Sequence, residues 1–259
     1  MSVVNYKSIL TEMRGAEVER PNKSSSGTLS GHAAGEPFEK VVYQHLKQKY
    51  PSQIFKQYEF LNELYRKNSQ LISVKDRFDL VNSPTAMFLL NRSETATKEW
   101  TLDHLFEEKQ SDTADIVFCD NGYYELIDVK TRNLDKQAQA PNIISAYKLA
   151  RACALMIDNG EYDSVDFNYI EIGWRVRGEY LQCVETHYAN LFSAPPSLYI
   201  NWAAGMQIQF HVSELEQTWT DSRKEWAKEY IRTFVYSAQQ RCKRMQDMYV
   251  QPFLKYLDC

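Results

Sequence analysis

Three residues in one short stretch carry the types and spacing that chemistry needs: Asp115, Asp128 and Lys130, within TADIVFCDNGYYELIDVKTR (Thr113 to Arg132). Asn121-Gly122 at its centre marks a two-residue hairpin, because both central positions of a type I′ turn require positive φ. The flanking segments, 114–119 and 123–129, are rich in β-branched and aromatic residues, as strands are. Residues equidistant from such a turn face one another, which pairs Asp120 with Tyr123, Val117 with Leu126, and Asp115 with Asp128. That last pair falls at a non-hydrogen-bonded position, where Cβ atoms approach to about 4.5–5.5 Å. Lys130, two residues on, projects from the same face as Asp128.

Like charges directly opposite one another destabilise a hairpin, so two carboxylates there want a cation between them. Hard oxygen ligands suit Mg²⁺. A lysine beside such a site can orient or deprotonate water and can stabilise charge on a transferring phosphate. That is the equipment of a metal-dependent nuclease. Hairpin geometry alone favours the plainer reading, an ordinary hairpin end with solvated charges, Lys130 bridging the aspartates. Acidic-x-Lys triplets occur at Glu107-Glu108-Lys109 and Asp128-Val129-Lys130, and about two are expected by chance, so the triplet alone does not decide.

The elements around the hairpin must position it. Residues 20–35, RPNKSSSGTLSGHAAG, are polar and aperiodic and read as a mobile loop after a short N-terminal helix. A helix is expected from Glu36, with Pro37 as its first helical residue and Phe38, Val41, Val42, His45 and Leu46 along its apolar stripe. His45 on that stripe reads as a satisfied core residue. A second helix is expected over Ile54 to Arg66, and the stretch from Asp76 to Asn91 containing MFLL reads as helical. Asn91 to Trp100 reads as a surface loop. After the hairpin and a polar stretch, Pro141 is placed to open a helix that Asn159-Gly160 ends. Strands follow at Phe167–Val176, Tyr180–Glu185 and Leu198–Val212, the last broken near Ala204-Gly205. A long C-terminal helix opens on Ser222 with Glu225, carries Trp226, Tyr230, Ile231, Phe234, Val235 and Ala238 on one face, and declines at Pro252. The order of elements predicts one α/β domain over residues 1–259.

Composition sets outer bounds. With 259 residues, 44% hydrophobic and 25% charged, the chain reads as a soluble globular protein with a substantial core. No apolar run approaches a membrane span, and MSVVNYKSILTEMRGAEVER has no signal-peptide h-region. Five cysteines without a CxxC read as reduced thiols in the cytoplasm, and five histidines without HxH or HExxH spacing argue against zinc. A net charge of −4 and a pI near 5.8 argue against a protein that coats DNA indiscriminately. They do not exclude a specific binder with its positive charge gathered in one cleft.

The Asp115…Asp128-Val129-Lys130 spacing, on a hairpin between helices, resembles the PD-(D/E)xK nuclease superfamily. More narrowly, SGTLSGHAAGEPFEK (26–40), FEEKQSDTADI (106–116), DVKTRN (128–133), AQAPNIISAYKLA (138–150) and LYINWAAGMQIQFHV (198–212) resemble a family of Type II restriction endonucleases. The likeness spans most of the chain. Ala114 stands where the wider superfamily has proline before the first aspartate, a minor departure, since that proline does no chemistry.

The resemblance implies a restriction-endonuclease-like α/β core, a central mixed β-sheet flanked by helices, with a long C-terminal helix. It implies that Asp115, Asp128 and the Val129 carbonyl hold Mg²⁺ while Lys130 positions and activates the attacking water. Asp112 is a second candidate by spacing, but it does not fall opposite Asp128. In-line attack on the scissile phosphorus would leave a 5′-phosphate and a 3′-hydroxyl. Gln139 and Ala140 would press into the minor groove and bend the duplex, where composition alone favours a plain helix-entry loop. Asn142 and Asn201 would read base edges in the major groove, with Tyr199 in the same segment. Tyr199 reads equally as a core strand residue. The implied target is GTYRAC, cut bluntly at its centre by a homodimer, in partnership with a cognate DNA methyltransferase.

Two other readings share these residues. A repair or junction-cutting nuclease of the same superfamily has no reason to share the Ala138–Asn142 block. A non-catalytic, sequence-specific DNA-binding protein on the same scaffold would not need the intact Asp115, Asp128 and Lys130. Against a carbohydrate or small-molecule enzyme using paired carboxylates, directly opposed carboxylates leave too little room for the wider spacing of inverting glycosidases.

Overall fold

Asn121 and Gly122 have φ of 48° and 78°, the left-handed pair a type I′ turn requires. The hairpin they close lies inside a six-stranded sheet. A computed structural model describes residues 3–21, 31–66, 69–92, 106–109 and 112–257, the side chains of 31–34 excepted. In chain order the elements begin with α1 (Tyr6–Met13), β1 (Glu17–Glu19), α2 (Gly31–Lys49), β2 (Ile54–Lys56), α3 (Gln57–Tyr65), α4 (Val74–Val81) and α5 (Pro84–Leu90). The hairpin strands are β3 (Ile116–Asp120) and β4 (Tyr123–Asn133), followed by β5 (Asn142–Ser145), α6 (Ala146–Asn159), β6 (Val165–Arg177) and β7 (Tyr180–Asn190). Last come β8 (Ile200–Asn201), β9 (Gln207–Gln209), α7 (Arg223–Met245) and α8 (Gln251–Leu254).

The large sheet runs β1-β7-β6-β4-β3-β2, with β4 and β6 parallel and its other neighbours antiparallel. A parallel pair needs a crossover, and the β4 to β6 connection supplies one through α6. Alternation along β4 sorts its side chains. Ile127 and Val129 join an apolar cluster with Ile9 of α1 and Phe38, Val42 and Leu46 of α2. Tyr124 and Leu126 join the opposite cluster with α3, α5, α6 and Trp226 and Tyr230 of α7. Asp128 and Lys130 share the face of Tyr124 and Leu126, toward the strand's C-terminal end and past the last apolar residue of that face. A smaller sheet, β5-β9-β8, holds the segment after that end.

Several expected boundaries shift for nonlocal reasons. Helix α2 begins at Gly31 and carries Pro37 inside it. Ala33-Ala34 are strong helix formers, and proline forfeits one N–H bond near a helix start rather than mid-helix. Residues 22–30 of the expected loop, and 93–100 of the other, lie outside the described residues. His45 is half-exposed and paired with Glu12 at 3.2 Å, so it is neither core nor ligand. Ile54–Lys56 is strand rather than helix, because it pairs with Phe118, Val117 and Ile116 on the hairpin's outer edge. Asn142–Ser145 is also strand, paired with β9, so α6 starts at Ala146 and not at Pro141. Ser145 caps that helix by accepting from the Lys148 N–H at 3.4 Å. Gly160 ends it at φ 65°. The 76–91 stretch is two helices, with MFLL in α5. Helix α7 opens on Ser222, whose hydroxyl accepts from Glu225 N–H at 3.3 Å. Its apolar face is incomplete: Trp226 and Tyr230 are buried while Val235 is exposed.

Candidate active site and DNA interface

The hairpin register fixes the first group of residues. Ile116 pairs with Ile127, Val117 with Leu126 and Asp120 with Tyr123, so Asp115, one step beyond the ladder, meets Asp128. Its Oδ2 accepts the Val129 N–H at 2.7 Å, which ties the first carboxylate to the strand carrying the second. Asp128 is buried, and Lys130 Nζ lies 2.6 Å from its Oδ2. Burial, then the charge of Asp115, pushes the Asp128 carboxyl well above the usual range, with Lys130 opposing. Burial pulls Lys130 down, but the charges of Asp128 and Asp115 outweigh it and raise its pKa. Tyr169, beside Asp128 on β6, is buried and packs edge-on against Phe210 at 5.5 Å.

This donor set fits a hard divalent cation. Two carboxylates crowd so closely that one resists ionising, and a cation between them removes that penalty. The ligands would be two side chains and a backbone carbonyl; among the described residues no cluster of three or more His, Cys, Asp or Glu could hold a metal. Asp112 is turned away, its Oδ1 bound by Arg92 Nε at 2.6 Å.

Two positioning groups had no sequence signal of their own. Gln57, at 1% exposure, accepts the Thr113 and Ala114 N–H groups at 2.7 and 3.0 Å through Oε1. Its Nε2 donates to the carbonyls of Leu90 and Leu89 at 2.9 and 3.4 Å. One buried amide therefore fixes the backbone immediately before Asp115. Glu171, the β6 neighbour of Lys130, is equally buried; it accepts from the Val212 N–H at 2.9 Å and from Ser213 Oγ at 2.8 Å. His211 lies between Glu171 (3.6 Å) and the Ala138 carbonyl (3.3 Å).

The second group follows along the chain. Gln139 is exposed and Ala140 half-buried in the loop between β4 and β5. Asn142 opens β5 and Asn201 closes β8, with β9 between them. Tyr199 is 66% exposed, so it is not a core residue, and its carbonyl accepts the Gln209 N–H at 3.2 Å. The structure thus brings Asp115, Asp128, Val129 and Lys130 together, and separately Asn142, Tyr199 and Asn201. The loop from residue 134 to residue 141 joins the two groups.

A mixed sheet flanked by helices, with opposed carboxylates and a lysine on its hairpin, fits a nuclease of the restriction-endonuclease class. Residues 9–257 match the family described as Restriction endonuclease HincII, and the chain belongs to that family. It is 55% identical over 253 residues to the Type II restriction enzyme HindII of Haemophilus influenzae (strain Rd), covering 97% of each chain. It is also 55% identical to the Type II restriction enzyme HincII of Haemophilus influenzae, with the same coverage. The solved NlaIV restriction endonuclease aligns at a TM-score of 0.36 and 10% identity, over 93% of this chain and 86% of that one. That likeness is too distant to add to the assignment.

Proposed function

We propose that this enzyme is a Mg²⁺-dependent Type II restriction endonuclease that cuts double-stranded DNA at GTYRAC, bluntly and centrally, leaving 5′-phosphate and 3′-hydroxyl ends. The observation that carries the reading is the facing of Asp115 and Asp128 with Lys130 at 2.6 Å. Asp115, Asp128 and the Val129 carbonyl would hold the cation, which when bound supplies Lewis-acid stabilisation of phosphate oxygens. Lys130, 2.6 Å from Asp128, would position and activate the attacking water and stabilise charge developing on the phosphate. The Val129 N–H holds Asp115 in place, and the buried Tyr169 lies beside Asp128 on the neighbouring strand.

Gln139 and Ala140 would enter the minor groove from their loop, while Asn142, Tyr199 and Asn201 address the bases. A pyrimidine–purine step at the centre of the target is flexible, which suits recognition by bending. The palindromic target supports a two-fold homodimer of one-domain chains, one active site per strand. Such an enzyme works in the cytoplasm beside a DNA methyltransferase that protects the same site. Among the described residues no helix is long and apolar enough to cross a membrane.

Asp128→Ala and Lys130→Ala test the assignment. Each is expected to abolish cleavage while leaving the gel shift of a GTYRAC duplex largely in place. Retained cleavage would remove these residues from the chemistry.

A further inference from the structure

The three short strands of the small sheet carry a row of amide side chains. Asn142 on β5 and Asn201 on β8 flank Gln209 on β9. Gln209 Nε2 donates to Asn142 Oδ1 at 2.8 Å, and Gln209 Oε1 accepts from Asn201 Nδ2 at 2.9 Å. An amide can ordinarily flip, exchanging its donor for its acceptor. Here one end of the row is fixed: Asn201 Oδ1 accepts the backbone N–H groups of Ala203 and Ala204 at 3.0 and 3.1 Å. Backbone N–H groups only donate, so that atom must be oxygen. Asn201 therefore turns its NH₂ to Gln209, Gln209 answers with oxygen, and its NH₂ must point at the oxygen of Asn142. The direction set at the Ala203–Ala204 turn passes through three side chains.

We infer that Gln209 is a specificity-determining positioning residue, a relay that makes Asn142 present its NH₂ to DNA. It rests on the proposed reading that Asn142 addresses a base edge. Asn142 is exposed, and its Nδ2 has no protein partner among the described residues, so its outward face is a donor. A donor face selects acceptors in the major groove: purine N7, guanine O6 or thymine O4. Without the relay, both faces of Asn142 are accessible and the choice between base pairs weakens.

The test measures kcat/KM on a GTYRAC duplex and on duplexes with each base pair replaced singly, for Gln209→Leu, Gln209→Glu and Asn142→Ala, each checked for an unchanged melting curve. Gln209→Leu is expected to reduce discrimination at one base pair by about 5-fold or more. Gln209→Glu has only acceptors, so Asn142 must turn its NH₂ inward and present oxygen. Preference at that same base pair is then expected to move toward a base offering a donor. A loss of activity by one common factor on all duplexes would mean that Gln209 only braces the sheet, and would overturn the inference. If Asn142→Ala relaxes discrimination while neither Gln209 variant does, the relay fails and the base-reading role stands. If Asn142→Ala leaves discrimination unchanged, both fall.

Discussion

Gln57→Leu is a nearly isosteric change with consequences set by the hydrogen bonds it removes. The side chain is 1% exposed and is the partner of the Thr113 and Ala114 N–H groups. Leucine fills the volume but leaves both donors buried without an acceptor, and the Leu90 carbonyl without this donor. Leu89 keeps the Thr113 hydroxyl at 2.7 Å. Each orphaned buried group costs about 1–3 kcal/mol. The two N–H groups together give about 2–6 kcal/mol, and relaxation of the 112–114 segment places the effect near the lower half of that range. Total domain stability is typically about 5–15 kcal/mol. Urea unfolding followed by tryptophan fluorescence reads the change directly. Because Ala114 immediately precedes Asp115, the folded fraction is also expected to cleave more slowly in single turnover, with DNA affinity less affected. A stability within about 0.5 kcal/mol of the parent, the range of an ordinary surface substitution, would refute the positioning role of Gln57.

Thiol alkylation of the native protein with peptide mapping is expected to label Cys242, which is exposed, well before Cys119, Cys153 or Cys183. Burial pushes the Cys119 and Cys183 thiols up to about 12 and about 11, and rapid labelling of either would contradict their packing. Gly122→Ala places a Cβ at φ 78°, 3.4 Å from Asp79 Cβ, and is expected to destabilise by about 1–2 kcal/mol in thermal or urea unfolding. An unchanged midpoint would mean that the turn is not held as described.

The hairpin was legible because its signals are local: Asn121-Gly122 sets the turn, the turn sets the register, and the register places Asp115 against Asp128. The break at Ala204-Gly205 and the Ser222 cap were legible for the same reason. What the sequence hid is nonlocal. Ile54–Lys56 and Asn142–Ser145 carry apolar residues that suit either helix or strand, and only the partners, β3 and β9, decide. Pro141 mimics a helix start five residues before the real one at Ala146, which Ser145 caps. Pro37, read as a first helical residue, sits further inside because the preceding alanines carry the helix through it. Gln57, Glu171 and Gln209 had no signal at all. A polar side chain in an apolar stripe or a short strand shows its use only when the groups it satisfies, distant in sequence, are in place. The likeness over most of the chain supplied roles for Gln139, Ala140, Asn142, Tyr199 and Asn201 that spacing alone could not.

Digestion of a plasmid of known sequence, with Mg²⁺ and with EDTA, followed by sequencing of the fragment ends, tests the proposed activity most directly. Discrete blunt fragments ending inside GTYRAC are expected with Mg²⁺, and intact plasmid with EDTA. Cutting at a different discrete site would overturn the recognition sequence alone. Cutting that EDTA leaves untouched, or a folded protein that shifts duplex DNA without cleaving it, would contradict the metal-dependent chemistry assigned to Asp115, Asp128 and Lys130.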